Sequence, residues 1–161
     1  MAVTDEMVCF ALYAAHRATS QTYRALLAPW GLTYPQYLVL ATLWVEGSTS
    51  VRDLGDRMQL DSGTLSPLLR RMEERGMVRR ERSATDARVV DMHLTDRGLA
   101  LRAELRHIPA AIAAGMGFAD GADAERLLQR LHGVEASMHA ASAAALAAPQ
   151  THDAGTAGVD R

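Results

Sequence analysis

The stretch Leu60-Asp61-Ser62-Gly63-Thr64-Leu65-Ser66-Pro67-Leu68-Leu69-Arg70-Arg71-Met72 decides how this chain folds. Leu65, Leu68, Leu69 and Met72 fall at i, i+3, i+4 and i+7, the spacing of one apolar face of a helix. Gly76 is placed to stop that helix. A proline deep inside a helix costs about 3 kcal/mol, so Pro67 sets the helix start close by, around Ser62 to Thr64. The opposite face then presents Gly63, Thr64, Ser66, Pro67, Arg70 and Arg71. Small polar residues at a helix N-terminus permit close approach to a groove, and the N–H groups there attract phosphate.

On either side the pattern is complementary. Upstream, Ser50 caps a short helix carrying Val51, Leu54 and Met58 at i, i+3 and i+7, and Gln59 to Asp61 form a turn. Downstream the period changes. Met77 to Arg82 read as a strand and Ser83 to Ala87 as a polar turn, after which Val90, Met92 and Leu94 alternate with Asp91 and His93. Two short helices joined by a tight turn and followed by a β-hairpin describe a winged helix-turn-helix over residues 49–95.

The remainder reads as helix. Residues from about Asp5 to Leu27 form one long helix with Thr4 as N-cap and acids in its first turn, ended by Pro29-Trp30-Gly31. A second starts at Pro35 and runs to about Val45, with Gly47-Ser48-Thr49 as a break. Thr95 caps a long helix reaching about Met116 and bent at Pro109. Gly115 to Gly121 is a loop, and an alanine-rich helix covers about Ala122 to Ala148. The expected fold is mainly α with a small β-hairpin wing, in a single domain over 1–161. Within it, 1–48 are N-terminal helices, 49–95 the winged helix-turn-helix, 96–148 C-terminal helices, and 149–161 a disordered tail.

The net charge is −2, yet its distribution is uneven. Between Arg70 and Arg88 lie seven arginines (70, 71, 75, 79, 80, 82 and 88) against four acids (Glu73, Glu74, Glu81 and Asp86), which focuses any polyanion contact there. The single cysteine builds no internal disulfide framework and suits a reducing cytoplasm. The longest apolar run, Leu38 to Val45, is far short of the ~20 residues a bilayer needs, so no membrane span is expected. Six histidines lie scattered without ligand spacing, and neither a metal site nor a cofactor nor a catalytic centre is expected.

The run Leu60 to Leu69 together with Thr85-Asp86-Ala87-Arg88 resembles the MarR family of bacterial regulators, over about Val8 to Leu105. The resemblance implies a transcription regulator that binds double-stranded DNA. Arg88 would enter the minor groove, with Asp86 holding its guanidinium by a charge-assisted bond. Ser62, Thr64, Ser66, Arg70, Arg71, Arg80 and Arg82 complete the candidate DNA-contacting set. It further implies a homodimer packed through the first helix and the last two. Its two recognition helices would meet successive major grooves of a pseudo-palindromic operator, about 10 base pairs apart.

Cys9 is the residue whose chemistry could switch such a protein, although a lone cysteine on an alanine-rich helix also reads as a small core residue. Tyr13 lies one turn above it, and Tyr23, Tyr34 and Tyr37 place all four tyrosines within the first 37 residues. Val8-Cys9-Phe10-Ala11-Leu12-Tyr13-Ala14-Ala15 and Gly31-Leu32-Thr33-Tyr34-Pro35-Gln36-Tyr37-Leu38 are similar to the single-cysteine OhrR branch of the MarR family, which senses organic hydroperoxides. That resemblance makes Cys9 the peroxidatic thiol and Tyr13 its same-helix neighbour. Tyr23 and Tyr34 would reach it across the dimer interface and favour the thiolate. Oxidation to sulfenic acid and condensation with a low-molecular-weight thiol would release a repressor from its operator. A second, C-terminal cysteine, used elsewhere in that branch, is absent from residues 122–148. Two other readings stand beside this one: a regulator answering a small aromatic or lipophilic ligand with Cys9 incidental, and a thiol peroxidase, which would have no use for an arginine-rich hairpin. Trp30 and Trp44 read as packing or pocket-lining residues and His16 as structural.

Overall fold

The computed structural model describes Thr4, residues 7–83, Asp86 and residues 88–148. The chain falls into two compact units, Met1–Met116 and Gly117–Arg161. The expected tail, the centre of the turn around Thr85 and Ala87, and Asp5 and Glu6 lie outside the described residues.

The first unit opens with α1, Val8–Leu27. It begins later than the spacing predicts: Met7 takes the N-cap place, no side chain caps the end, and the first turn carries no acid. Thr4 instead accepts the Met7 N–H at its carbonyl. A 3-10 turn, Ala28–Trp30, ends at Gly31, whose left-handed backbone (φ 58) returns its N–H to the Ala28 carbonyl. α2, Tyr34–Glu46, begins in a capping box: Thr33 Oγ accepts the Gln36 N–H while the Gln36 side chain accepts the Thr33 N–H. That reciprocal pair explains why the helix starts one residue before Pro35 and how Gln36 lies buried without loss.

Ser48–Ser50 form β1, a strand where the sequence suggests only a break. Ser50 then caps α3, Val51–Met58, by accepting the Asp53 N–H at 3.0 Å. α3 ends at Gln59 in a left-handed conformation, and Leu60 donates to the Gly55 carbonyl at 3.0 Å. α4, Ser62–Glu74, starts where Pro67 requires, and its buried residues are Leu65, Leu68, Leu69 and Met72, the predicted stripe. Asp61 supplies the cap: one carboxylate oxygen accepts the Thr64 N–H and the other its hydroxyl, each at 3.0 Å. These bonds hold the Asp61 carboxyl below its ordinary range.

β2, Val78–Arg82, and β3, Val90–Leu94, form the hairpin, and β1 joins the far edge of β3, giving the antiparallel order β1-β3-β2. Val78 pairs with Leu94, Arg80 with Met92 and Arg82 with Val90, which puts these six on one face. Val78 and Met92 on that face are buried in the core. Arg79, Glu81, Asp91 and His93 take the other face.

Thr95 caps α5, Asp96–Glu104, accepting the Gly98 N–H at 3.2 Å. The single bent helix expected here is two helices. α6 spans Ile108–Met116, and the interruption at Leu105–His107 precedes Pro109. Proline removes the N–H that an ongoing helix would use but fits the first turn of a new one, so the chain breaks upstream of it. Leu27, Val39, Leu40, Leu43, Leu54, Leu69, Met72 and Met92 centre the core, and Leu105 in the interruption and Ile108 at the start of α6 join it. The second unit holds α7, Gly121–Ala147, capped by Asp120, which accepts the Asp123 N–H. None of its residues is buried, and Leu127, Leu128, Leu131, Val134 and Met138 are exposed. Among the described residues no helix is long and apolar enough to cross a membrane.

Candidate functional site

α4 turns its polar face outward: Ser62, Gly63, Thr64, Ser66, Arg70 and Arg71 are exposed and Pro67 is partly covered. Beside it lies a groove of about 490 Å³ lined by Ser50, Val51, Arg52, Ser66, Arg80 and Arg88–Val90. Three guanidinium groups and the start of α3 thus surround one concave surface, an arrangement suited to a phosphate backbone. Ser50 and Arg52 are absent from the sequence-derived set. Ser50 is legible as a cap, but only the folded chain brings α3 against the hairpin.

The arginines are not equivalent. Arg82 and Arg88 are exposed, and neither side chain makes an ion pair or hydrogen bond among the described residues. Arg70 forms a loose, exposed pair with Glu74 at 3.8 Å. Arg79 points to the opposite face of the sheet and pairs with Glu81, which also lies 3.4 Å from His93. Arg80 is held by Glu73, through both its main-chain N–H (3.2 Å) and its Nε (3.7 Å). Arg75 is structural: its guanidinium donates to the carbonyls of Gly31 (2.8 Å) and Trp30 (2.7 Å), fastening the end of α4 to the turn before α2.

The Asp86 carboxylate accepts the main-chain N–H of Arg88 at 2.9 Å, and among the described residues it forms no ion pair with the Arg88 guanidinium. The Val89 N–H donates to the Asp86 carbonyl and the Ser83 N–H to the Val89 carbonyl, both at 2.9 Å. The acid therefore shapes the turn that projects Arg88 and leaves the charged end unengaged.

Cys9 is exposed in the first turn of α1, closer to the helix start than the sequence suggests. Tyr13 stacks loosely on Phe10 (6.3 Å between centroids), and its hydroxyl accepts from Arg17 at 3.4 Å. Tyr23 and Tyr34 stack at 4.1 Å, Tyr37 lies 5.8 Å from Tyr23, and Trp44 meets Tyr37 edge-on at 6.1 Å. Tyr37 and Trp44 thereby extend a cluster the sequence set limits to Tyr23 and Tyr34. Cys9 and Tyr23 are 14 residues apart on one straight helix, about 21 Å along its axis, so within one chain they cannot touch.

Burial, with Tyr34 and Tyr37 close by, pushes the Tyr23 hydroxyl up to about 12, and burial likewise raises Tyr37. Both phenols are proton donors throughout the physiological range. With the folded value of Tyr23 above the ordinary value of 10, its contribution to stability is complete below pH 10 and is lost as pH rises through about 12. Urea midpoints measured across that window should fall, and Tyr23→Phe should flatten the fall. An equal slope in both proteins would show that Tyr23 is not the titrating group.

A helix-turn-helix whose second helix stands beside a hairpin, with arginines around the groove between them, defines a winged helix-turn-helix protein. Comparison with known proteins specifies the kind. The MarR family profile matches residues 32–90. The chain is 45% identical over 136 residues to the HTH-type transcriptional regulator TtmR of Methylorubrum extorquens, covering 84% of this chain and 69% of that one. It is 38% identical over 135 residues to the organic hydroperoxide resistance transcriptional regulator of Bacillus subtilis, covering 84% and 91%. Among solved structures, reduced AbfR bound to DNA superposes with a TM-score of 0.70 at 32% identity, covering 81% of this chain and 91% of that one. AbfR of Staphylococcus epidermidis superposes with a TM-score of 0.68 at 30% identity, covering 81% and 90%. The chain belongs to the MarR family of transcriptional regulators.

Proposed function

We propose that this protein is a homodimeric repressor that leaves its operator when an organic hydroperoxide oxidises Cys9. The observation that carries the reading is the placing of Cys9. It is exposed in the first turn of α1 beside Val8 (71% exposed), Phe10 (42%) and Tyr13 (54%), large apolar groups left substantially open to solvent. A second copy laid over this surface would bury it. It would also offer Tyr23 and Tyr34 a route to the partner's Cys9. Kinship with the Bacillus subtilis organic hydroperoxide resistance regulator supports the choice of oxidant.

The chemistry is balanced within the chain and two small reactants. The thiolate attacks one peroxide oxygen; the O–O bond breaks, an S–O bond forms, and the organic half leaves as an alcohol after taking up a proton. The sulfenic acid then condenses with a low-molecular-weight thiol, forming an S–S bond and releasing water. The adduct adds bulk at the uncovered surface and biases the dimer away from the spacing its operator requires.

On the DNA side, Ser62, Thr64, Ser66, Arg70 and Arg71 of α4 enter the major groove, while Arg82 and Arg88 approach the adjacent minor groove and its phosphates. The test is a gel shift with an operator selected from random-sequence DNA. Wild type should release it on addition of cumene hydroperoxide, and Cys9→Ser should bind equally well and ignore the oxidant. Persistent oxidant sensitivity in Cys9→Ser overturns the redox reading. An unchanged protein mass together with release by a small aromatic compound would favour ligand control instead.

A further inference from the structure

We infer that Glu73 and Arg80 form a clamp that sets the distance between the recognition helix and the wing, so that Arg80 positions the DNA-reading elements and does not itself read DNA. The inference rests on the DNA interface proposed above and assigns roles within it.

Arg80 sits on the inner face of the hairpin, opposite Met92, whose side chain is wholly buried. Its side chain leaves the sheet on the α4 side while remaining partly open to solvent. There it meets two points on that helix. One Glu73 carboxylate oxygen accepts the Arg80 main-chain N–H at 3.2 Å, and the other lies 3.7 Å from its Nε. At the same time Nη2 donates to the Ser66 carbonyl at 3.4 Å. Ser66 and Glu73 are seven residues apart, close to two helical turns; the Ser66 carbonyl points towards the C-terminus of α4 and the Glu73 side chain leans towards its N-terminus, so one guanidinium meets both. A planar fork with several fixed donors can make such a bridge, whereas a single ammonium cannot reach both ends with directed bonds.

The position of the bridge gives it consequence. Ser66, Arg80 and Arg88 line the same groove, so the bond between Ser66 and Arg80 helps fix how far the wing stands from α4. That spacing sets how far Arg88 lies from the α4 side chains meant for the neighbouring groove. Glu73 is also an acid behind a surface that accepts phosphate, where its charge alone opposes DNA binding. A positioning role and an electrostatic role therefore predict effects of opposite sign.

The experiment uses the full chain and fluorescence anisotropy over a salt series, with the selected operator and a random-sequence duplex as probes. Glu73→Gln removes one negative charge; the clamp predicts that operator affinity falls about tenfold or more while random-sequence affinity is unchanged or tighter. Arg80→Lys keeps the charge; the clamp predicts a similar loss on the operator. Its slope of log affinity against log salt should shift by less than the roughly 0.9 expected for one lost phosphate contact. Thermal melts of both variants should match wild type, since both side chains are partly exposed. The clamp is overturned if Glu73→Gln tightens both probes equally, or if Arg80→Lys binds the operator as wild type does. Arg88→Ala is run alongside: if it leaves operator affinity unchanged, the proposed interface fails, and the clamp fails with it for that separate reason.

Discussion

Gly98→Ala is expected to destabilise the protein by about 3 kcal/mol or more and to lower its melting temperature by roughly 10 °C. In an ordinary helix the same change stabilises by about 0.5–1 kcal/mol, because alanine has less backbone freedom to lose. Here the sign reverses. A Cβ on Gly98 would stand 2.1 Å from the Met77 carbonyl oxygen and 3.0 Å from Leu94 Cδ2. The carbonyl is main chain and has little room to retreat: Met77 donates to the Met72 carbonyl, and its own oxygen accepts the Thr95 N–H. Gly98 is fixed in turn, since its carbonyl accepts the Trp44 indole N–H at 2.9 Å and its N–H is held by Thr95. Gly115→Ala in α6 is the control, with open space around the new methyl and no left-handed backbone; it should match or exceed wild type. Equal melting temperatures for Gly98→Ala and wild type would refute the close approach of α5 to the root of the wing.

The second large effect is on DNA. Arg88→Ala should weaken operator binding by about 1–3 kcal/mol, roughly 5- to 150-fold, with a smaller effect on random-sequence DNA. Three hydrogen bonds shape the main chain around Arg88, and none of them engages the guanidinium. The charge is thus presented at little ordering cost. Arg79→Ala is the matched comparison: it removes an equal charge from the same hairpin, but from the outer face, where Glu81 already pairs with it. If Arg79→Ala costs as much as Arg88→Ala, net charge governs binding and the assigned faces are wrong.

Where local spacing determines structure, the sequence was readable. The α4 stripe, the Ser50 and Thr95 caps and the alternation in β3 are each written within a few residues, and the chain adopts them. The reading failed where a distant partner decides. Ser48–Ser50 is too short and polar to announce a strand; it becomes one because β3, more than 40 residues later, offers an open edge. Pro109 marks a break, which falls just upstream of it as a first-turn proline requires, but that Leu105 and Ile108 at the break are buried in the core is decided by distant partners. Arg75 and Arg80 counted as free charge until the fold supplied the Gly31 and Trp30 carbonyls to one and Glu73 to the other. Charge is visible in a sequence; which charge is already engaged is not. For Cys9 and Tyr23 the limit is different, since the two lie about 21 Å apart along one helix and the contact proposed between them requires a second chain.

All 17 basic residues of the chain are arginine, including the three around the groove. Arginine keeps its proton at any pH a cell reaches, and it lacks the primary amine on which acetyl transfer to lysine depends. The affinity of this surface for a polyanion therefore cannot be lowered by acidification or by acylating its cations. Under the proposed redox release, the charges around the groove stay as they are and what changes is their spacing, so the rigid parts that hold them apart carry the signal.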